Sequence, residues 1–91
     1  MMWTAAERPV LRPPARLKYD ELREQELLLL PERVVRLNST AGTILRLCDG
    51  SRTVESLTRE LERLYDQTGL QEQIAAFLTR AAEEGWVERW K

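Results

Sequence analysis

The chain has 91 residues, with 14 Lys plus Arg against 15 Asp plus Glu and a formal charge of −1. A length of this order supports a single domain, and the near-neutral balance supplies no field for phosphate polymers or anionic lipid. With no His, one Cys and only three Asp (Asp20, Asp49, Asp66), the usual residues of triads, zinc sites and dithiol redox pairs are missing, so the chain reads as a non-enzyme without metal or cofactor.

Residues 1–14 hold three of the four prolines, Pro9, Pro13 and Pro14, and show no sustained periodicity. They read as a flexible N-terminal arm ahead of a domain spanning 15–91. Within the arm, Trp3 is expected either to pack onto the domain or to anchor a partner. Neither a signal-peptide core nor a run of about 18 apolar residues occurs, which implies a cytoplasmic protein that does not enter the membrane.

Arg16 to Asp20 alternates polar with apolar and predicts a half-buried strand over 16–20. Leu27 to Leu30 is too short for a helical stripe and is stopped by Pro31, so it predicts a second strand over 27–30, and Val34 to Leu37 a third over 34–37. Connections this short build an antiparallel meander. Successive side chains alternate faces, so one Leu pair of the second strand points outward and joins Val34 in an apolar stripe on the outer face. The pattern alone does not say which pair; Leu28 and Leu30 are the candidate partner-docking pair, and the alternative is that the arm folds back over the stripe.

Three helices follow, at about 40–48, 54–65 and 70–84. Asn38-Ser39-Thr40 supplies N-cap side chains for the first, whose stripe is Ala41, Ile44, Leu45 and Cys48, and Asp49-Gly50 stops it. On that apolar face Cys48 reads as a buried small hydrophobe. Thr53 caps the second helix, with Val54, Leu57, Leu61 and Leu64 on its buried face. Thr68 to Gln71 has capping-box spacing for the third, whose stripe is Ile74, Phe77, Leu78 and Ala81. Trp86 to Trp90 ends the chain as an extended piece. The fold class is therefore α+β: a three-stranded antiparallel sheet followed by three helices, winged helix-turn-helix-like.

A winged helix raises DNA binding, but from Leu70 to Glu84 the only cation is Arg80, against Glu72, Glu83 and Glu84, a local balance of −2 that repels phosphates. The last strand before the helices suits a different guest. As a sheet edge, Val34 to Leu37 leaves one row of backbone donors and acceptors free for another strand. Val35, Leu37, Ile74 and Phe77 are positioned to bury apolar side chains of such a peptide, and Arg33 and Arg36 to pair with its carboxylates. Twelve of the 14 cations are Arg, whose planar fork suits that pairing.

Arg8-Pro9-Val10-Leu11, Arg16-Leu17, Asp20, Leu28-Leu29-Leu30-Pro31-Glu32, Leu37-Asn38, Ala41, Ile44-Leu45, Leu47-Cys48-Asp49-Gly50 and Arg52-Thr53 together resemble the coenzyme pyrroloquinoline quinone (PQQ) synthesis protein D (PqqD) family. The resemblance spans nearly the whole chain, and the spacing of Pro31-Glu32, Leu37-Asn38 and Leu47 to Gly50 is its most specific part. It implies a peptide chaperone, a stand-alone recognition element for a ribosomally made and modified peptide (RiPP). Such a protein binds a PqqA-like precursor and presents it to a PqqE-like radical S-adenosylmethionine enzyme, which cross-links a Glu to a Tyr. It further implies that the peptide adds as a strand between Val34–Leu37 and the facing side of the third helix, which brings in Leu78 and Ala81. Two departures touch the first hairpin: family members usually carry Gly before the first strand and in the first turn, where this chain has Pro14-Ala15 and Arg23-Glu24. A recognition protein of another RiPP pathway, such as a lasso peptide's, uses the same groove and stays open, as does a homodimer.

Overall fold

The computed structural model describes residues 2–91, and its order along the chain is β1 (Pro9–Leu11), β2 (Arg16–Asp20), β3 (Gln25–Leu29), β4 (Val34–Leu37), α1 (Ser39–Arg46), α2 (Val54–Tyr65), α3 (Gln71–Glu83) and β5 (Val87–Arg89). Strands β2, β3 and β4 form an antiparallel meander in that order, and β1 pairs with β5 in a separate two-stranded antiparallel sheet. Leu28, Leu45, Leu57, Leu61 and Leu78 lie fully buried where the three helices meet one face of the meander. No helix among the described residues is long and apolar enough to cross a membrane.

Residues 2–14 depart from the expected arm, because they hold β1 and bury Trp3, over whose ring the Arg89 guanidinium lies at 4.2 Å. The cause is a set of backbone groups that need partners. The first N–H groups of a helix have no acceptor within it, and here Val54 N and Glu55 N of α2 donate to the carbonyls of Glu7 and Ala5, at 2.8 and 3.0 Å. Leu11 N donates to Cys48 O and Gly50 N to Pro9 O, both at 3.0 Å. The segment is thus spent on the helical side and does not cover the outer face of the meander.

In the first hairpin, Asp20 Oδ1 accepts from Leu22 N at 3.1 Å and from Arg23 N at 3.3 Å. The turn closes with Glu24 at φ 50°, the left-handed conformation that Gly takes without penalty. In the second hairpin Leu30 N donates to Arg33 O at 2.9 Å across Pro31-Glu32, which sets the register Leu29↔Val34, Leu28↔Val35, Leu27↔Arg36 and Glu26↔Leu37.

That register corrects the docking pair. Leu28 stands in a row with Leu17 and Val35, facing the helices, and is fully buried; Leu30 is half-buried against the same core. Side-chain alternation leaves Leu27 and Leu29 as the pair on the opposite face, beside Val34. Strand β3 also begins at Gln25, earlier than the apolar run suggested, since Gln25 and Glu26 pair across β2 with Asp20 and Tyr19.

Asn38 Oδ1 caps α1 by accepting from Ala41 N at 2.7 Å, and Gly42 lets that helix approach β3: a Cβ there would sit 2.7 Å from Glu26 Cγ. Thr53 caps α2 through Ser56 N at 3.0 Å. The expected capping box of α3 does not form. Its N-cap is Leu70, which offers no side-chain oxygen, and Leu70 N donates instead to Glu62 Oε2 of α2 at 3.1 Å.

Candidate peptide-binding groove

Strand β4 is an edge strand, paired to β3 on one side only. In an antiparallel ladder, residues alternate between directing their N–H and C=O toward the neighbour and away from it. Because Arg33 O accepts from Leu30 N, the residues of the same parity, Val35 and Leu37, direct their backbone to β3. Val34 and Arg36 therefore present two N–H and two C=O groups on the open flank. Their side chains belong to the outer face of the sheet, so these two residues offer backbone and not side chain to the open flank.

The other wall is α3. At one end of the groove Arg33 Nη2 donates to Glu84 Oε1 at 3.1 Å, tying the start of β4 to the end of α3. Beside this pair is a cavity of about 360 Å³ lined by Arg33, Phe77, Arg80, Ala81, Glu84 and Trp86. A second cavity, of about 220 Å³, lies between the starts of α1 and α3, where Thr40, Gln73 and Ile74 line it together with Tyr65 and Leu70. The two cavities mark opposite ends of α3, and either accepts an apolar side chain.

The sequence-selected residues divide by accessibility. Arg33 and Phe77 line the larger cavity and are reachable; Val35 is half-buried, its side chain packed on the core. Leu37, Ile74, Leu78 and Ala81 are buried core residues, of which Ile74 and Ala81 reach a cavity wall, Leu78 lines neither cavity, and Leu37 lies against Glu26, Ser39 and Thr43, away from α3. Sequence reasoning did not select Arg80, Glu84 and Trp86 for the groove. Their signal was faint: Trp86 lies past the Gly85 stop, and the two charged residues fall outside the apolar stripe of α3.

Cys48 is buried, its Sγ lies 3.2 Å from Ile44 O, and burial pushes its thiol up to about 12, which leaves it without thiolate at neutral pH. Among the described residues no three His, Cys, Asp or Glu side chains converge as metal ligands would. What the arrangement offers is hydrogen-bonding edge and apolar pockets.

Comparison with known proteins agrees with that character. The family model for coenzyme PQQ synthesis protein D (PqqD) matches residues 20–87. The chain belongs to the PqqD family. A PqqA binding protein of Methylococcus capsulatus is 36% identical over 77 residues, covering 85% of this chain and 83% of that one. The PqqA binding protein of Pseudomonas aeruginosa is 40% identical over 81 residues, with 88% of each chain covered. Among solved structures, the solution NMR structure of the PqqD truncation of Methylobacterium extorquens PqqCD superimposes with a TM-score of 0.81 at 31% identity, over 96% of this chain and 95% of that one. That protein is described as a functional, stand-alone RiPP recognition element. In this PqqD-family chain, the position where the resemblance expects a turn Gly is taken by Glu24 in the same left-handed conformation.

Proposed function

We propose that this chain is a peptide chaperone of PQQ biosynthesis, which binds a PqqA-like precursor as an added strand on β4 and presents it to a PqqE-like radical S-adenosylmethionine enzyme. The observation that carries this reading is the unpaired edge at Val34 and Arg36, beside Arg33, which shares a cavity with Phe77 of α3, in a chain whose relatives are named for binding PqqA. The same reading gives the chain a cytoplasmic place and a winged helix-turn-helix-like arrangement, with the third helix turned to peptide instead of DNA.

The energetics suit a carrier. Four edge hydrogen bonds at about 1 kcal/mol net each contribute about 4 kcal/mol, while a dissociation constant near 1 μM requires about −8 kcal/mol. One or two apolar precursor side chains in the cavities beside Phe77 and Ile74, at about 1.5 to 3 kcal/mol each, supply the difference. Arg33 and Arg80 favour carboxylates at the rim. Binding of this strength holds an extended peptide without trapping it.

The test is a titration of the isotopically labelled chain with the synthetic PqqA-like precursor. Amide shifts concentrated at residues 34–37 and along α3 are expected. Saturation with neither region perturbed refutes strand addition at this site.

A further inference from the structure

The outer face of the β2–β3–β4 meander carries a pattern that peptide binding at the edge does not use. The register lines up Arg16, Leu29 and Val34 in one row and Lys18, Leu27 and Arg36 in the next. Two rows thus set an apolar patch of Leu27, Leu29 and Val34 among three cations, with Val34 58% exposed. Sheet faces open to water ordinarily carry polar side chains, and three aliphatic neighbours in one patch mark a contact surface. The N-terminal segment is engaged at α2 and β5 and leaves this face bare.

The charge on this face is uncompensated. Among the described residues, seven of the 14 cations pair with a carboxylate and seven do not, and three of the unpaired seven, Arg16, Lys18 and Arg36, stand together here; the others are Arg8, Arg12, Arg80 and Lys91. Asp20, the one acid of β2 on this face, is held by Arg23. A chain of net charge −1 has therefore gathered three uncompensated cations around its exposed apolar patch.

We propose that this face is a second docking surface, separate from the groove, which receives a protein partner presenting an apolar centre ringed by carboxylates. The inference rests on the carrier function proposed above, and the partner is the enzyme to which the precursor is handed. A second copy of the chain is disfavoured because the face would meet its own cations. Nucleic acid is disfavoured because the face has no aromatic ring on which a base could stack. The location also has a mechanistic use. Val34 and Arg36 belong to this face by side chain and to the open edge by backbone, so a guest strand beside them extends the docking face with its own alternate side chains. The partner then touches carrier and guest at once, and the precursor tightens its binding.

The experiment titrates the purified radical S-adenosylmethionine enzyme of the pathway into the full chain at low and high salt, with and without precursor. It uses two variants outside the groove, the double Arg16→Glu with Lys18→Glu and the single Leu29→Ser. Both variants are expected to bind the enzyme at least tenfold more weakly than wild type and to bind precursor within twofold of it, the charge-reversal pair also losing the salt dependence. Enzyme binding unchanged in both variants overturns the docking surface and leaves the carrier reading standing. No enzyme binding by the wild-type chain overturns both, while the parallel precursor titration reports on the groove independently. Salt-sensitive binding of wild type to single-stranded DNA, abolished by the charge reversal, overturns the choice of a protein partner.

Discussion

A proline placed at Arg36 tests the alternation of β4 most directly. The hairpin bond between Leu30 and Arg33 puts the Arg36 N–H on the open flank, so Arg36→Pro removes a donor that none of the described residues uses, and the preceding Val35 already has the extended backbone that proline demands. The fold should survive. For the precursor, one of four edge hydrogen bonds is lost, about 1 kcal/mol or roughly fivefold in affinity, and the pyrrolidine ring standing in the path of the incoming strand adds to that. Arg36→Ala is the reference, since it removes the charge and keeps the N–H. The opposite parity supplies the contrast: Val35 N–H points to Leu28, so Val35→Pro breaks the ladder inside the sheet and should lower stability by about 1 to 3 kcal/mol through an unsatisfied buried carbonyl. Isothermal titration with the synthetic precursor and a denaturant melt read the two effects separately. The reasoning is refuted if Arg36→Pro binds as tightly as Arg36→Ala, or if Val35→Pro melts with wild type while Arg36→Pro unfolds.

Trp3→Ala should lower unfolding stability by about 3 kcal/mol or more, because it empties a buried ring site at the root of the N-terminal segment; a denaturant melt indistinguishable from wild type would show that the segment does not belong to the domain. Glu24→Gly relieves a left-handed glutamate and should raise stability by about 0.5 to 1 kcal/mol in the same assay. Glu84→Gln breaks an ion pair whose side chains are 51% and 53% exposed, so the melt should move by less than about 0.5 kcal/mol. Cys48 holds its proton more tightly folded than unfolded, its value rising from 9.0 to about 12, so its contribution is complete below pH 9 and is lost as the pH climbs toward 12. The slope is about 1.4 kcal/mol per pH unit, and Cys48→Ala should flatten that part of the stability profile.

Where the sequence reading succeeded, a local rule and the tertiary structure agreed. Alternation in Arg16 to Asp20, the Pro31 break, the Asn38 and Thr53 caps and the Val54, Leu57 and Leu61 positions of the α2 stripe each concern neighbours in the chain, and β2, β4 and α2 lie at their expected bounds. Leu64, expected on the same buried face, is instead 50% exposed in the last turn of α2, and Thr58 is buried with the other three. The other misreadings concern partners distant in sequence. Pro9 to Leu11 has no strand pattern of its own and becomes β1 because Val87 to Arg89 supplies the other half of the ladder. The outward Leu pair depended on a register set by one turn bond, which the four consecutive Leu residues could not encode. The start of α3 was assigned to Thr68 to Gln71, but Glu62 of the preceding helix reaches it first. In the groove, the apolar stripe of α3 identified its wall, yet the same periodicity could not separate Phe77, open to a guest, from Leu78, sealed beneath it. Arg80, Glu84 and Trp86 join the groove only once β4 lies alongside.

The pairing of β1 with β5 brings the two ends of the chain side by side: Trp90 N donates to Arg8 O at 2.7 Å, and Arg89 Nη2 donates to Met2 O at 3.2 Å. Adjacent termini let a domain be spliced into a longer polypeptide or circularly permuted with little disturbance. The Methylobacterium extorquens relative is itself a truncation of a longer protein, PqqCD. A tether leaving from this seam would carry the recognition module as a cassette, its open flank free to work while the seam bears the leash.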